Sequence, residues 1–296
     1  MHSRFKINAC LVLIAAIWGF GFVPQKLGMH YLGPAAFNFM RFALGALALM
    51  PVIYVFSRNT KSFNNGVTQF GMGTVRLGMF LGALLFIGAL MQQFALLYTS
   101  VANVAFITGL YVIIVPMIGF FLGLRYATIV WIGGVLAIIG LYLMTGGGDG
   151  ASSKGDIIAL VGAVAWAAHI LVLARKAGQH QQLVLSVYQF GFCAIFSLMY
   201  ALSFEELLLP KQTIGYLWPA INGFIVVGVG YTLQVLVMDK AEPFEASLIL
   251  SLEAVFGAIA GYLIFSEVFS NAALLGAVLI LMGCVLAQLP QKPQNA

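Results

Sequence analysis

The chain has 296 residues, of which 14 are basic and 9 acidic, so 8% are charged where a soluble domain has about a quarter. With 62% apolar residues there is too little charge to coat a water-facing surface, which excludes a soluble globular enzyme. The net charge of +5 comes from scattered basic residues with no basic run and no interleaved aromatics, which excludes nucleic acid as a partner.

Lipid is therefore the expected solvent. A membrane helix needs about 20 apolar residues, so ten spans use roughly 200. The basic start, Met1 to Lys6, leads into an apolar stretch without a small-residue cleavage site and is read as a retained first helix. Hydropathy predicts spans at 8–25, 34–56, 77–98, 101–123, 127–145, 156–174, 183–203, 217–238, 246–265 and 272–289. Pro24, Pro51 and Pro116 fall within or at the ends of these spans and are expected to break them. The 33 glycines suit close helix packing, with Gly78/Gly82, Gly119/Gly123 and Gly257/Gly261 each spaced four apart. The alternative use of such a face is a homodimer.

With the N-terminus inside, the inner segments hold Arg4, Lys6, Arg58, Lys61, Arg76, Arg125, Arg175, Lys176, Lys240 and Lys292. The outer loops hold only Lys26, Lys154 and Lys211. This asymmetry predicts a multi-pass inner-membrane protein with both termini cytoplasmic.

A shift of 148 residues aligns Ala15, Trp18, Phe42 and Ala46 with Ala163, Trp166, Phe190 and Ala194. A shift of 141 aligns Gly82, Gln93 and Ala105 with Gly223, Gln234 and Ala246, and a shift of 143 aligns Gly133 and Gly140 with Gly276 and Gly283. Each half carries five predicted spans, an odd number, so the second half enters the membrane from the opposite side. The expected fold is all-α and integral to the membrane, with ten transmembrane helices in two inverted five-helix repeats at 8–145 and 156–289. Such repeats characterise secondary transporters that expose a site between the halves to each face in turn.

The chain resembles the EamA type of the drug/metabolite transporter superfamily along nearly its whole length. The resemblance rests on Trp18-Gly19, on Arg41-Phe42, and on the run from Tyr98 through Thr99-Ser100-Val101-Ala102-Asn103 and Tyr111 to Pro116. It rests also on Ala246-Ser247 through Leu252-Glu253, and on Ser266-Glu267 followed by Gly276 and Gly283. The first unit departs from the pattern, with Arg125-Tyr126 where such units carry Gly-Glu. The resemblance implies a central cavity among helices 1, 3, 4, 6, 8 and 9, with 5 and 10 peripheral, and makes export a common direction.

Charge inside a span costs roughly 2.5–3.5 kcal/mol on insertion scales, and Arg41 and Glu253 are the two groups that fit this description. At 1.5 Å per residue Arg41 lies about 10 Å from the outer face and Glu253 about 13 Å from the inner face, near enough for a salt bridge. The pair either holds the bundle together or handles substrate or protons. His169 shares a helix face with Trp166 and a depth with Glu253, which suits either a proton relay or hydrogen-bonded packing. Gln93 and Gln234 are repeat equivalents that could meet at the cavity or act as interhelical glue, and Trp18 and Trp166 could wall it. Asn103, Thr108, Tyr111 and Ser251 add hydrogen-bonding capacity. Asp149, Asp156, Glu205, Glu206 and Glu267 read as solvated loop charges.

There is no Walker loop, no His-Glu-x-x-His and no nucleophile elbow, so no enzyme, no cofactor and no metal is expected. The expected function is a secondary transporter exporting a small polar or zwitterionic metabolite or an amino acid by alternating access, driven by an ion or substrate gradient, protons foremost. The alternatives are a lipid-carrier flippase and an intramembrane lipid-modifying enzyme.

Overall fold

A computed structural model describes residues 2–59, 71–123, 128–144, 154–206, 208–238, 240–241 and 243–286. Lys61, Arg125, Tyr126, Asp149, Asp239, Glu242 and Lys292 lie outside the described residues. The elements in chain order are α1 (His2–Gly28), α2 (Pro34–Asn59), α3 (Met72–Ala95), α4 (Val101–Gly109), α5 (Tyr111–Phe121) and α6 (Thr128–Met144). There follow α7 (Lys154–Lys176), α8 (Gln182–Phe204), α9 (Ile214–Ile221), a π-helical segment (Asn222–Tyr231), α10 (Thr232–Met238), α11 (Pro243–Ser251), α12 (Glu253–Phe265) and α13 (Asn271–Leu286). No strand occurs among the described residues, as befits backbone that must satisfy its own hydrogen bonds in hydrocarbon.

Among the described residues, seven segments are long and apolar enough to cross a bilayer: Phe5–Gly28, Pro34–Val55, Met72–Ala95, Val101–Phe121, Lys154–Gln179, Gln182–Phe204 and Ile214–Met238. Shorter apolar helices occupy Trp131–Gly140, Ile249–Phe265 and Asn271–Gly283. Large apolar side chains such as Leu13, Met79, Phe80, Ile138, Leu202 and Ile264 point outward, the inversion expected of a multi-pass membrane protein.

The prolines do not interrupt their helices: Pro24, Pro51 and Pro116 lie inside α1, α2 and α5. The breaks fall instead at Leu110, between α4 and α5, and at Leu252, between α11 and α12, 142 residues apart. Both residues have nearly the same tightened backbone, φ −63 ψ −11 and φ −59 ψ −14. The third irregularity is the ten-residue π-helical segment, a rare conformation that tends to mark functional sites.

Glycines set the helix spacing. A Cβ on Gly140 would lie 2.5 Å from the Gly276 carbonyl oxygen, and one on Gly283 would land on the Gly133 carbonyl, so α6 and α13 touch reciprocally. The same reciprocity joins α3 to α8 and α2 to the π-helical segment. A Cβ on Gly82 would lie 2.8 Å from the Gln189 carbonyl oxygen, and one on Gly223 would lie 2.8 Å from that of Arg41. Gly78 and Gly257 also sit against neighbouring helices, on Tyr188 and Ala105. Gly123 departs from the expected packing face: it ends α5 with φ +85 and faces open space, a turn position rather than a contact.

Candidate functional site

A cavity of about 20 Å³ lies where nearly all the long elements meet. Its lining includes Trp18, Phe22 and Gln25 of α1, Arg41 of α2, Gln92 of α3, Thr108 of α4 and Tyr111 of α5. From the second half come Trp166 and Ile170 of α7, Val226 and Tyr231 of the π-helical segment, Gln234 of α10 and Glu253 of α12. Neither α6 nor α13 contributes; they pack chiefly on one another. The volume admits about one water molecule, too little for a metabolite in this conformation. A larger recess of about 320 Å³ between α1 and the stretch from the end of α9 into the π-helical segment is lined by apolar residues such as Ala16, Phe20, Pro24 and Ile225, with no side chain to orient a polar ligand.

Trp18 and Trp166 both pack against Tyr231. Its ring centroid is 4.7 Å from that of Trp18 and 5.8 Å from that of Trp166, the latter nearly parallel at 22°. Each tryptophan rests on a glycine of the opposite half, Trp18 on Gly230 and Trp166 on Gly88. Both indole Nε1 atoms are buried without a partner, so each holds a free donor.

Arg41 and Glu253 both line the cavity, but the predicted salt bridge between them is not made. Arg41 Nη1 donates to Asn222 Oδ1 at 3.0 Å, while Nε and Nη2 are unpartnered. Its guanidinium lies 4.9 Å from the Phe42 ring centroid. Asn222 is anchored in turn through Nδ2 to the Gly21 carbonyl at 2.9 Å. Glu253 is 4% exposed, with Tyr111 beside it and Oε1 unpartnered. The carboxylate opens α12 directly after the Leu252 break, and Tyr111 opens α5 directly after the Leu110 break. Axial depth could be counted from sequence, but the lateral separation that keeps the two charges apart could not.

His169 makes one of the contacts expected of it, a hydrogen bond to a neighbouring helix. It is fully buried and its Nε2 pairs with Gln189 Oε1 of α8 at 3.0 Å, away from the cavity lining. Gln93 Nε2 donates to the Gln25 carbonyl at 3.0 Å, and its neighbour Gln92 faces the cavity while bonding Gln25 Oε1 at 3.0 Å. One residue turns a helix by 100°, enough to exchange lining for glue. Asn103 belongs to the end of α4, where its side chain donates to Thr99 Oγ1 at 3.1 Å, and Ser251 is buried outside the lining. Trp18, Thr108, Tyr111, Trp166 and Gln234 do line the cavity.

Sequence reasoning missed Gln25, Gln92, Asn222 and Tyr231. Asn222 and Tyr231 carried a usable signal, an amide and a phenol inside an apolar span; Gln25, beside Lys26, looked like a span end.

If His169 only braces α7 against α8, His169→Gln leaves the pH profile of uptake unchanged. The stability cost is one neutral hydrogen bond, about 0.5–1.5 kcal/mol. Uptake by the purified variant across pH, with its melting temperature in detergent, checks both.

Three of the acids read as solvated are bound. Asp156 is 6% exposed and accepts from Thr99 Oγ1 at 2.9 Å. Glu205 accepts from the backbone N–H groups of Ala35 and Ala36 at 2.7 and 2.9 Å, and Glu267 from those of Val101 and Ala102 at 2.8 and 3.1 Å. A carboxylate fits there because helix N-termini leave backbone donors unpaired and positive.

Comparison with known proteins agrees with this architecture. The EamA-like transporter family matches twice, over residues 6–146 and 153–289. An uncharacterized transporter of Archaeoglobus fulgidus is 27% identical over 288 residues, covering 97% of this chain and 87% of that protein. The uncharacterized transporter YoaV of Bacillus subtilis is 22% identical over 286 residues, covering 94% and 95%. A protein of known crystal structure shares the fold at a TM-score of 0.65 with 18% identity, covering 97% of each chain. Two matched units that together span most of the sequence, on an all-helical membrane fold, establish that this chain is a membrane transporter of the EamA-like family.

Proposed function

We propose that the chain is a secondary carrier of ten transmembrane helices in two inverted repeats, moving a small zwitterionic metabolite, an amino acid by preference, by alternating access. The observation that carries this reading is a small central cavity lined by a buried cation and a buried carboxylate that make no ion pair with each other. An isolated buried charge is costly, so a ligand bearing both a carboxylate and an ammonium group relieves two penalties at once. Arg41 is assigned the carboxylate, Glu253 the ammonium, and the Trp18, Tyr231 and Trp166 cluster the side chain.

The inverted-repeat arrangement is supported by contacts that recur with the halves exchanged: Trp18 on Gly230 against Trp166 on Gly88, and Gly140 on Gly276 against Gly283 on Gly133. Helix breaks at Leu110 and Leu252 fit the interrupted helices that line carrier sites. The Lys and Arg asymmetry favours an inner-membrane protein with cytoplasmic termini. Export by proton exchange follows as the working direction, with Glu253 as the group that binds either proton or substrate ammonium.

The test is flux into liposomes holding the purified protein, with labelled amino acids, the matching amines lacking the carboxylate, and the matching acids lacking the amine, each with and without a pH gradient. Saturable uptake of the amino acids alone supports the reading, and equal uptake of the amines or acids overturns the zwitterion assignment. Glu253→Gln is expected to abolish gradient-driven accumulation. Accumulation at the wild-type level in that variant excludes Glu253 as the coupling group.

A further inference from the structure

We propose that Glu205 and Glu267 are paired latches that hold the outer end of the carrier shut, the cavity opening outward only when the carboxylates leave the helix ends they cap. The proposal rests on the orientation and alternating access put forward above.

The two devices are built alike. Each carboxylate belongs to the second half and follows the C-terminal end of a helix, Glu205 after α8 and Glu267 after α12. Each crosses to the first half and takes two consecutive backbone N–H groups at a helix N-terminus, Ala35 and Ala36 of α2 or Val101 and Ala102 of α4. Each is seated by a glycine: a Cβ on Gly33 would fall on the Glu205 carboxylate, and one on Gly261 on that of Glu267. The Glu267 latch also depends on Ser266, whose left-handed φ of 53 turns the chain back so that the Glu267 N–H donates to the Gly261 carbonyl at 3.2 Å.

Further contacts fasten the same end. Lys26 Nζ of α1 lies 3.8 Å from Glu267 Oε1 and donates to the Thr99 carbonyl at 3.4 Å. Thr99 in turn donates through Oγ1 to Asp156 at the start of α7. The ends of α1, α4, α7 and α12 are thereby tied to one another. At the opposite end Thr74 and His180 share a hydrogen bond of 2.8 Å. Partial burial, with Lys176 nearby, holds the His180 imidazole below its ordinary pKa and so favours the neutral ring there.

The two carboxylates are not repeated in the first half. The repeat equivalents of Glu205 and Glu267, at shifts of 148 and 141, are Ser57 and Tyr126, neither of which carries a carboxylate. A contact present in one conformation and absent from the other shifts the population toward the first. A hydrogen-bonded charged group is worth roughly a factor of ten or more, so each latch biases the carrier toward outward closure by that order.

The experiment measures access and needs no substrate. Cys10, Cys193 and Cys284 are replaced by Ala, Thr108→Cys is introduced as a cavity reporter, and a membrane-impermeant thiol reagent is applied to either face of oriented vesicles. Glu205→Gln and Glu267→Gln keep size but exchange one acceptor oxygen for an amide that opposes the helix N–H groups. Each is expected to raise the outer labelling rate by about tenfold, and the double variant by more, with inner labelling falling. Unchanged outer labelling in a monodisperse double variant overturns the proposal.

A second arm guards against misfolding. Ala36→Cys with Glu205→Cys, bridged by a reducible bifunctional thiol reagent, is expected to stop amino-acid exchange until the bridge is reduced. Undiminished exchange in the bridged protein overturns the latch. Absence of flux in the unbridged wild type counts against the carrier reading alone, because sided labelling still decides the latch.

Discussion

Arg41→Met is expected to cut amino-acid uptake by about 10- to 100-fold while leaving the melting temperature in detergent unchanged or raised. The loss follows from removing the cavity's free guanidinium donors, since hydrogen bonds to charged groups contribute about 1.5–3 kcal/mol. The gain in stability follows from the same atoms. Nε and Nη2 are buried at a site 1% exposed, with no partner in the cavity, and an apolar side chain of similar length removes that penalty. Asn222 loses its contact with Nη1 but stays tied to the Gly21 carbonyl, so the π-helical segment remains in place. The two readouts together separate function from folding. A variant that melts much lower, with uptake per folded molecule intact, would make Arg41 a structural residue and remove the carboxylate assignment. Arg41→Lys is not expected to restore uptake, because a single ammonium cannot hold Asn222 and present a second planar donor face together.

The legible part of the site was its chemistry. Polarity alone picked out Arg41, Glu253, Thr108, Tyr111 and Gln234, because a polar atom in hydrocarbon is costly without a purpose. The repeat added the tryptophan pair, both members of which pack against Tyr231. Rotation about a helix axis was not legible. Gln92 and Gln93 are adjacent amides, and only the direction of α3 against α1 decides that the first lines the cavity and the second braces Gln25. Lateral distance was also hidden, which is why Arg41 and Glu253 looked like a pair.

The acids show a different limit. Glu205 and Glu267 sit in connections, and a connection reads as solvated unless something distant comes to it. What comes is the N-terminus of a helix more than 160 residues away in the chain, as the Ala35–Glu205 and Val101–Glu267 bonds show. Helix interruption was misread for a related reason. Proline inside a membrane helix is tolerated where neighbours satisfy the freed backbone, whereas Leu110 and Leu252 break theirs without any marker residue. Only their equivalence in the repeat signals that the position matters.

Gly223→Leu is expected to prevent the carrier from accumulating as a folded protein, while Gly191→Leu is tolerated. Both glycines lie in helical segments of the second half, and composition does not distinguish them. A Cβ at 223 would lie 2.8 Å from both the Arg41 carbonyl oxygen and the Leu44 Cβ, and 3.3 Å from the Arg41 Cα. Most of those obstacles are backbone, which cannot rotate aside, so the π-helical segment must move away from α2. Overpacking costs typically about 1–3 kcal/mol, and a whole leucine against backbone belongs at or beyond the top of that range. The displacement would also carry Asn222 away from Arg41, so any surviving protein should show the weakened uptake expected of an unsupported guanidinium. At 191 a Cβ meets nothing within 4 Å, and replacing a helical glycine contributes up to about 1 kcal/mol of helix propensity. Monodisperse yield and melting temperature of the two variants decide the matter. Equal behaviour would mean that the close approach of α2 to the π-helical segment is not what holds the halves together around the cavity.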